Sequence, residues 1–277
     1  MYITEDNSYL EGVRLTNDGT FEFDKFQDLD TDIVYLHSKT SGKVTRDGLT
    51  YYFAYPFNPK ADKNLQKSFR DYLKHSFHDP DVCYSEEAYE FVENGVLLLD
   101  SMKRLDSFDA VICTASSVAE QSLAGLMCSI VWDNVADSVP CYNMRLIKKL
   151  CKEVTFDEEK AYQSLITTKK YNTPQKAHYA IKRLKLEFEK AKKENKLFTM
   201  KRYTPVHGRA GFMDFLKFPT KEQQDLYETL RAGAEVLICD DFLTTGTTVK
   251  EAIRFLNSIN PNTNISIFVM MDQYRQM

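Results

Sequence analysis

The stretch Val236–Thr248 reads V-L-I-C-D-D-F-L-T-T-G-T-T and decides the fold. Its first four residues, Val236–Cys239, form the continuous apolar run that is typical of a buried parallel strand. Asp240 and Asp241 follow at the carboxyl end, where open α/β sheets bind ligands. The loop Thr244–Thr248 then offers hydroxyls and backbone N–H groups at a helix start, a geometry that binds phosphate. Because two carboxylates would repel an all-phosphate ligand, the pattern favours a neutral diol beside one phosphate, as in ribose 5-phosphate.

This combination resembles the phosphoribosyl-pyrophosphate (PRPP) motif of the type I phosphoribosyltransferases. The resemblance implies a parallel-sheet α/β core, PRPP as substrate and Mg²⁺ as cofactor. It assigns the ribose 2- and 3-hydroxyls to Asp240 and Asp241. It assigns the 5-phosphate to the loop residues Thr244, Thr245, Gly246, Thr247 and Thr248. Phe242 stands where the family usually has a smaller aliphatic residue, which affects local packing rather than ligand contacts. The alternative is an ordinary strand–turn–helix with a Thr-rich cap.

Length and composition limit the classes of protein to which the chain can belong. The chain has 277 residues, enough for one large or two modest domains, and 43% are hydrophobic, enough for a sizeable core. The net charge of −4 argues against nucleic acid as a partner. The apolar stretches are too short to span a membrane, and the N-terminus has no signal-peptide pattern. The six cysteines include no CxxC pair, so we expect reduced thiols in a cytoplasmic protein.

Two β-α-β patterns organise the rest of the core. After the motif, a helical pattern from Val249 to Leu256 leads into an apolar strand, Ile265–Met271, which implies a parallel pair. Upstream, the strand Phe108–Cys113 precedes a small-residue loop and a helix, and Ile130–Trp132 is the candidate for the next strand. By its position, the resemblance assigns the leaving pyrophosphate to that loop, Thr114, Ala115, Ser116 and Ser117. A simple strand-to-helix turn with a Ser N-cap is the alternative.

Two further regions flank these patterns. Residues 143–198 are charged and read as a helical insertion with one apolar stripe, Ala177, Ile181, Leu184, Phe188 and Ala191. Interleaved glutamates make its lysine-rich remainder a solvated face, and the insertion could serve as a dimer contact. We therefore expect a homodimer. Residues 1–100 read as an N-terminal α+β region, with antiparallel strands in Leu10–Phe23 and Ile33–Phe57 and helices at Asn64–Phe77 and Ser85–Leu99. We expect this region to form the hood that selects the base, over a core spanning residues 101–277.

A second resemblance concerns Met200–Arg209, which is similar to the mobile loop of the orotate phosphoribosyltransferase branch. It implies that Lys201, Arg202 and His207 neutralise the pyrophosphate. Pro205 stands where that branch carries a loop lysine, and Arg209 could substitute.

After the last strand, the same branch has an acidic and then a basic residue, the latter touching the base. Asp272 and Gln273 occupy these base-side positions, and Arg275 comes later, so orotate itself is not implied. Tyr51–Tyr55 could stack on a base, but an aromatic strand is more often core.

His75, His78 and Asp79 have the spacing of zinc ligands, yet no fourth ligand is evident and polar residues at a helix end are commoner.

The function that the resemblance implies is transfer of the 5-phosphoribosyl group from PRPP to a nitrogenous base, with release of pyrophosphate. The alternative is a PRPP- or nucleotide-binding regulatory protein of the same fold.

Overall fold

The structure, a computed structural model, describes residues 10–15, 21–26, 33–36, 42–46, 48–56, 64–65, 68–69, 86–103, 105–114, 123–136, 141–168, 171, 173–243 and 245–272. Besides helical residues at 64–65 and 68–69, six α-helices with defined bounds lie within these ranges. They are α1 (Glu86–Met102), α2 (Leu123–Ala136), α3 (Glu158–Thr167), α4 (Pro174–Lys193), α5 (Lys221–Glu228) and α6 (Thr247–Ile259).

A six-stranded sheet forms the centre of the described structure. Its strands in spatial order are β4 (Lys43–Arg46), β5 (Leu49–Pro56), β13 (Asn264–Asp272), β12 (Glu235–Leu243), β6 (Ala110–Cys113) and β7 (Tyr142–Arg145). All neighbouring pairs are parallel except β4 with β5 at the edge. The prediction of a parallel-sheet α/β core is thereby confirmed.

Helices cover both faces of this sheet. Along β12, Leu237 and Cys239 pack into the apolar cluster that contains residues of α1 and α2. Val236 and Ile238 point the other way, into the cluster that contains residues of α4 and α6. A strand buried on both faces needs apolar side chains at successive positions, which explains the uninterrupted run in the sequence.

The strand predicted at Ile130–Trp132 is wrong, because these residues lie inside α2. Periodicity alone does not separate a short buried strand from a buried helix. Here α2 is apolar around most of its circumference, since it packs among α1 and the central sheet. The strand that follows β6 is β7, ten residues later in the sequence than the end of the predicted one.

The insertion 143–198 is helical only in part. Its first three residues belong to β7 of the central sheet. The short strands β8 (Ile147–Lys148) and β9 (Thr155–Phe156) then pair with β11 (Leu216–Lys217) and β10 (Phe212–Met213). The helices α3 and α4 follow. All members of the predicted apolar stripe of α4 are buried, as expected: Ala177, Ile181, Leu184, Phe188 and Ala191.

The N-terminal region also divides between two sheets. Three strands, β1 (Leu10–Leu15), β2 (Phe21–Phe26) and β3 (Ile33–Leu36), form an antiparallel sheet, as predicted. The strand β5 differs from the prediction, because it pairs parallel with β13 and joins the central sheet. Its last four residues are all buried, the pattern of an interior strand rather than a half-exposed one.

Residues 1–100 therefore contribute directly to the central sheet. The helix predicted at Ser85–Leu99 is observed as α1. The described residues 64–65 and 68–69 of the other predicted helix are helical, and its remainder lies outside the described residues.

Candidate functional site

The candidate site lies where the strand order of the central sheet reverses. From β6 the chain moves outward to β7, and it later returns to the opposite side of β6 to form β12 and then β13. The carboxyl ends of β6 and β12 thus flank the topological switch point, the position at which open α/β sheets bind ligands. Pairing of these two strands ends at Cys113 with Cys239, one residue before Thr114 and Asp240.

Thr114 and Asp240 meet at this point. The Thr114 hydroxyl donates a hydrogen bond of 2.6 Å to Oδ1 of Asp240, and the Thr114 N–H donates to the Cys239 carbonyl at 3.0 Å. Of the predicted pyrophosphate loop, Thr114 is the described member, while Ala115, Ser116 and Ser117 lie outside the described residues. The first residue of that loop is therefore in direct contact with the acidic pair.

The two carboxylates differ in environment. Asp240 is buried, and desolvation together with the neighbouring charge of Asp241 raises its pKa from 3.8 to about 7. The hydroxyl of Thr114, the N–H of Asp241 and the charge of Lys148 oppose that rise because they favour the ionised form. Asp241 is more exposed and accepts a hydrogen bond of 2.8 Å from the N–H of Phe242. The half-buried Phe242 packs against the α1–α2 side of the core, so its departure from the family pattern is a matter of local packing.

The predicted phosphate loop leads directly into a helix N-terminus. Gly246 has a φ of 67° and is the N-cap of α6, with no side-chain hydrogen bond capping the helix. The hydroxyls of Thr245 and Thr247 lie 3.0 Å apart, and Thr248 is in the first turn. The first N–H groups of a helix lack intrahelical partners, and here no cap side chain accepts from them, so they suit an anion. Thr244 lies outside the described residues.

Comparison with known proteins agrees with this geometry. Residues 209–276 match the family described as phosphoribosyl transferase domain. This segment is similar to a phosphoribosyltransferase domain. The match contains β12, α6 and β13, and with them the acidic pair and the phosphate loop. No curated protein matches the chain.

Sequence reasoning missed one cation near the acidic pair. Lys148 lies in β8, and its charge lowers the pKa of Asp240. The N–H of Leu146 donates to the Cys113 carbonyl at 2.9 Å, which carries the chain after β7 across the end of β6. The pattern in the sequence that could have indicated this cation is the adjacent pair Lys148 and Lys149, just after a strand.

The predicted base-side carboxylate, Asp272, lies at the same edge of the sheet. Its Cα pairs with that of Leu243 at the end of β12. The buried carboxylate accepts from Arg46 Nη1 at 2.9 Å and from the Tyr51 hydroxyl at 3.1 Å. The N-terminal hairpin β4–β5 is thus anchored beside the carboxyl end of β12. The buried Tyr51 and Tyr55 belong to the core, while Gln273 and Arg275 lie outside the described residues.

The segment proposed as a mobile loop is folded against the helical insertion. Two 3₁₀ turns, Met200–Arg202 and Val206–Gly211, hold the backbones of Lys201, Arg202 and His207. The second turn packs on α3 and α4, and the Arg209 Nε donates to the Tyr203 carbonyl at 2.7 Å. Burial lowers the pKa of the Arg209 guanidinium. The role of these residues toward pyrophosphate stays a prediction.

Neither a metal site nor a membrane span is found in the described ranges. No group of three or more His, Cys, Asp or Glu side chains there has the geometry to hold a metal ion. His75, His78 and Asp79 lie outside the described residues. Within the described part of the chain, no helix combines the length and the apolar character that crossing a bilayer requires.

Proposed function

We propose that the protein transfers the 5-phosphoribosyl group from PRPP to a nitrogenous base and releases pyrophosphate. One observation carries this proposal: an acidic pair and an uncapped helix N-terminus stand at the two ends of one short loop, beside the switch point of the sheet. The matched phosphoribosyltransferase domain supports the transfer of a phosphoribosyl group in general. The use of PRPP, the release of pyrophosphate and the nature of the base belong to the proposal.

The geometry supports binding of different parts of the substrate by different groups of residues. The N–H groups at the start of α6 and the hydroxyls of Thr245 and Thr247 would bind the 5-phosphate. Asp240 and Asp241 would accept hydrogen bonds from the ribose 2- and 3-hydroxyls, as carboxylates can accept several donors. With both ends of the ribose held, the anomeric carbon is fixed for attack, and positioning supplies much of the rate enhancement.

Negative charge beneath the ribose would also stabilise the transition state. As pyrophosphate leaves, positive charge would develop on the ring, and the carboxylates would already be oriented toward it. The hydrogen bond from Thr114 and the charge of Lys148 keep part of the Asp240 population ionised near neutral pH. The same Lys148, with Thr114–Ser117, would lie beside the pyrophosphate. Mg²⁺ would bind through the PRPP phosphates and offset the charge of the leaving group.

The base would be selected by the N-terminal region. The contacts of Arg46 and Tyr51 with Asp272 bring the β4–β5 hairpin to the carboxyl edge of β13. We propose that Asp272 and Gln273 lie on the base side, and that residues 1–100 form the hood above them. Exchanging Arg46 for Gln should then change the ranking of bases more than the affinity for PRPP.

The decisive experiment is a panel of nitrogenous bases incubated with PRPP and Mg²⁺, followed by pyrophosphate release. In parallel, the double variant Asp240→Asn/Asp241→Asn should bind PRPP at least about tenfold more weakly, because a hydrogen bond to a charged group is worth about 1.5–3 kcal/mol. Asp225→Asn, which removes one exposed carboxylate from α5, is the matched control. Unchanged PRPP affinity in the double variant would refute the proposed site.

A second measurement separates an enzyme from a PRPP-binding regulatory protein. If Lys201, Arg202, His207 and Arg209 act on the leaving pyrophosphate, their joint replacement should lower turnover more than PRPP affinity, since the leaving-group charge grows in the transition state. Full activity in that variant would exclude the role. Tight PRPP binding by the wild type without turnover on any base would identify the regulatory protein instead.

A further inference from the structure

The helical insertion carries a surface cavity that the proposed transfer reaction does not use. Its volume is about 480 Å³, and it lies between the first half of α4 and the segment Thr204–Pro205. The side chains that define its chemistry are Tyr171, Gln175, Lys176, Tyr179, Arg183 and Pro205. A cavity of this size falls within the range of about 300–1,000 Å³ that is usual for small-molecule sites.

One stripe of α4 forms the floor of the cavity. Gln175, Tyr179 and Arg183 are four residues apart, so their side chains lie on one face of the helix, about one turn from each other. Lys176 lines the same cavity next to Gln175. The Tyr179 ring, 72% exposed, is therefore flanked along the helix by a cation on either side. Such exposure is unusual for a large aromatic side chain and suits a planar partner.

The two cations are available to an anion. Lys176 has no carboxylate within ion-pair distance among the residues that the structure describes. The Arg183 Nε contacts Glu187 at 3.2 Å, but this i,i+4 pair is at the surface, with the arginine side chain 69% exposed. Exposed pairs of this kind contribute little, so an incoming phosphate can compete with Glu187 for the guanidinium.

We propose that this cavity binds a nucleoside monophosphate. The base would stack on Tyr179 against the Pro205 wall, and the phosphate would bind Lys176 and Arg183 in charge-assisted hydrogen bonds. Gln175 and Thr204 offer neutral donors and acceptors for the ribose and the base. A small anionic ligand fits better than an acidic peptide, because the cationic stripe spans only two helical turns and closes against Pro205.

The test is calorimetric titration of the 277-residue chain with adenosine, guanosine, cytidine and uridine 5′-monophosphates. At least one should bind with a Kd below about 1 mM. Lys176→Gln/Arg183→Gln should weaken that binding by at least about tenfold, and Tyr179→Ala by about fivefold. Lys193→Gln removes one charge from the last turn of the same helix and should have no effect. The corresponding nucleoside and inorganic phosphate should each bind more weakly than the nucleotide.

Binding at the cavity is distinguished from binding at the acidic pair by the variants. The nucleotide affinity should persist in Asp240→Asn/Asp241→Asn protein and in the presence of saturating PRPP, so failure of the proposed transfer reaction leaves this result intact. Absence of saturable binding by all four nucleotides would overturn the proposal. Affinity that is insensitive to Tyr179→Ala and to Lys176→Gln/Arg183→Gln would overturn it as well. An equal loss of nucleotide affinity in Lys193→Gln would overturn the proposal, because the binding would then be nonspecific charge attraction. Binding of an acidic peptide but of no nucleotide would overturn it in favour of a peptide-binding cavity.

Discussion

The ionisation of Asp240 should make folding stability depend on pH in an identifiable direction. Burial and the charge of Asp241 raise the pKa of this carboxyl from 3.8 to about 7 in the folded protein. Between these two values the folded state binds more protons than the unfolded chain, so the free energy of unfolding falls as pH rises. Below pH 3.8 the carboxyl is protonated in both states, so its ionisation costs the folded state nothing. Above about pH 7 it is ionised in both states, and the full cost falls on the folded state.

The magnitude follows from the same pKa difference. Each pKa unit is worth about 1.4 kcal/mol, so ionising Asp240 costs the folded state up to about 4 kcal/mol. Asp240→Asn keeps the shape and an oxygen that can accept from Thr114, but it carries no charge. The variant should therefore be about 1–4 kcal/mol more stable than the wild type at about pH 8. Near pH 4 the two proteins should differ little.

Urea unfolding at several pH values, analysed by linear extrapolation, measures these differences. Asp225→Asn is the matched control, because that carboxylate is 54% exposed on α5. Its stability relative to the wild type should not follow the same pH course. The reasoning is refuted if Asp240→Asn is no more stable than the wild type at about pH 8, or if the difference is the same at every pH.

Three further substitutions test the surroundings of the site. Thr114→Val removes the hydrogen bond of 2.6 Å to Asp240 and should raise the pKa of Asp240 above about 7. NMR of labelled carboxyl carbons measures this pKa, and an unchanged or lower value would contradict the contact. Asp272→Ala removes the acceptor of the hydrogen bonds from Arg46 and from the buried Tyr51 hydroxyl, and it should cost about 1–3 kcal/mol in urea unfolding. No loss would show that these two hydrogen bonds contribute nothing. Gly211→Ala places a Cβ 2.4 Å from a backbone carbonyl at the start of α3 and should cost about 1–3 kcal/mol, and neutral behaviour would mean that the segment does not pack there.

The parts of the fold that the sequence predicts are those with a local signal. The apolar run of β12 and the stripe of α4 each depend on neighbours within a few residues of the chain. The sequence predicts that the strand ends at Cys239 and that the acidic pair follows it, whereas β12 continues through Asp240 and Asp241 to Leu243 because it keeps pairing with β13. The strand and the stripe were predicted correctly in kind.

The parts that the sequence does not predict depend on distant pairing. The β5 strand looks like a hairpin strand, since β4 precedes it across a short turn, and only its partner β13, more than two hundred residues later, makes it part of the central sheet. Lys148 carries no motif of its own. It reaches the neighbourhood of Asp240 because β7 pairs with β6, a contact that no short-range pattern specifies.

The high pKa of Asp240 connects the fold to the proposed chemistry. A neutral side chain of similar shape would satisfy the hydrogen bond from Thr114 without the cost of a buried charge, so stability alone does not explain an aspartate here. The cost of ionising Asp240 is explained if a ligand binds the carboxylate. Hydroxyl groups that donate hydrogen bonds to it, and positive charge that develops on the ligand, both favour the ionised form. Lys148 and Thr114 lower that cost in advance, and the half-buried Asp241 is the more accessible member of the pair. The destabilised carboxylate therefore marks this position as a candidate functional site, and the diol of a sugar phosphate is the ligand that we propose for it.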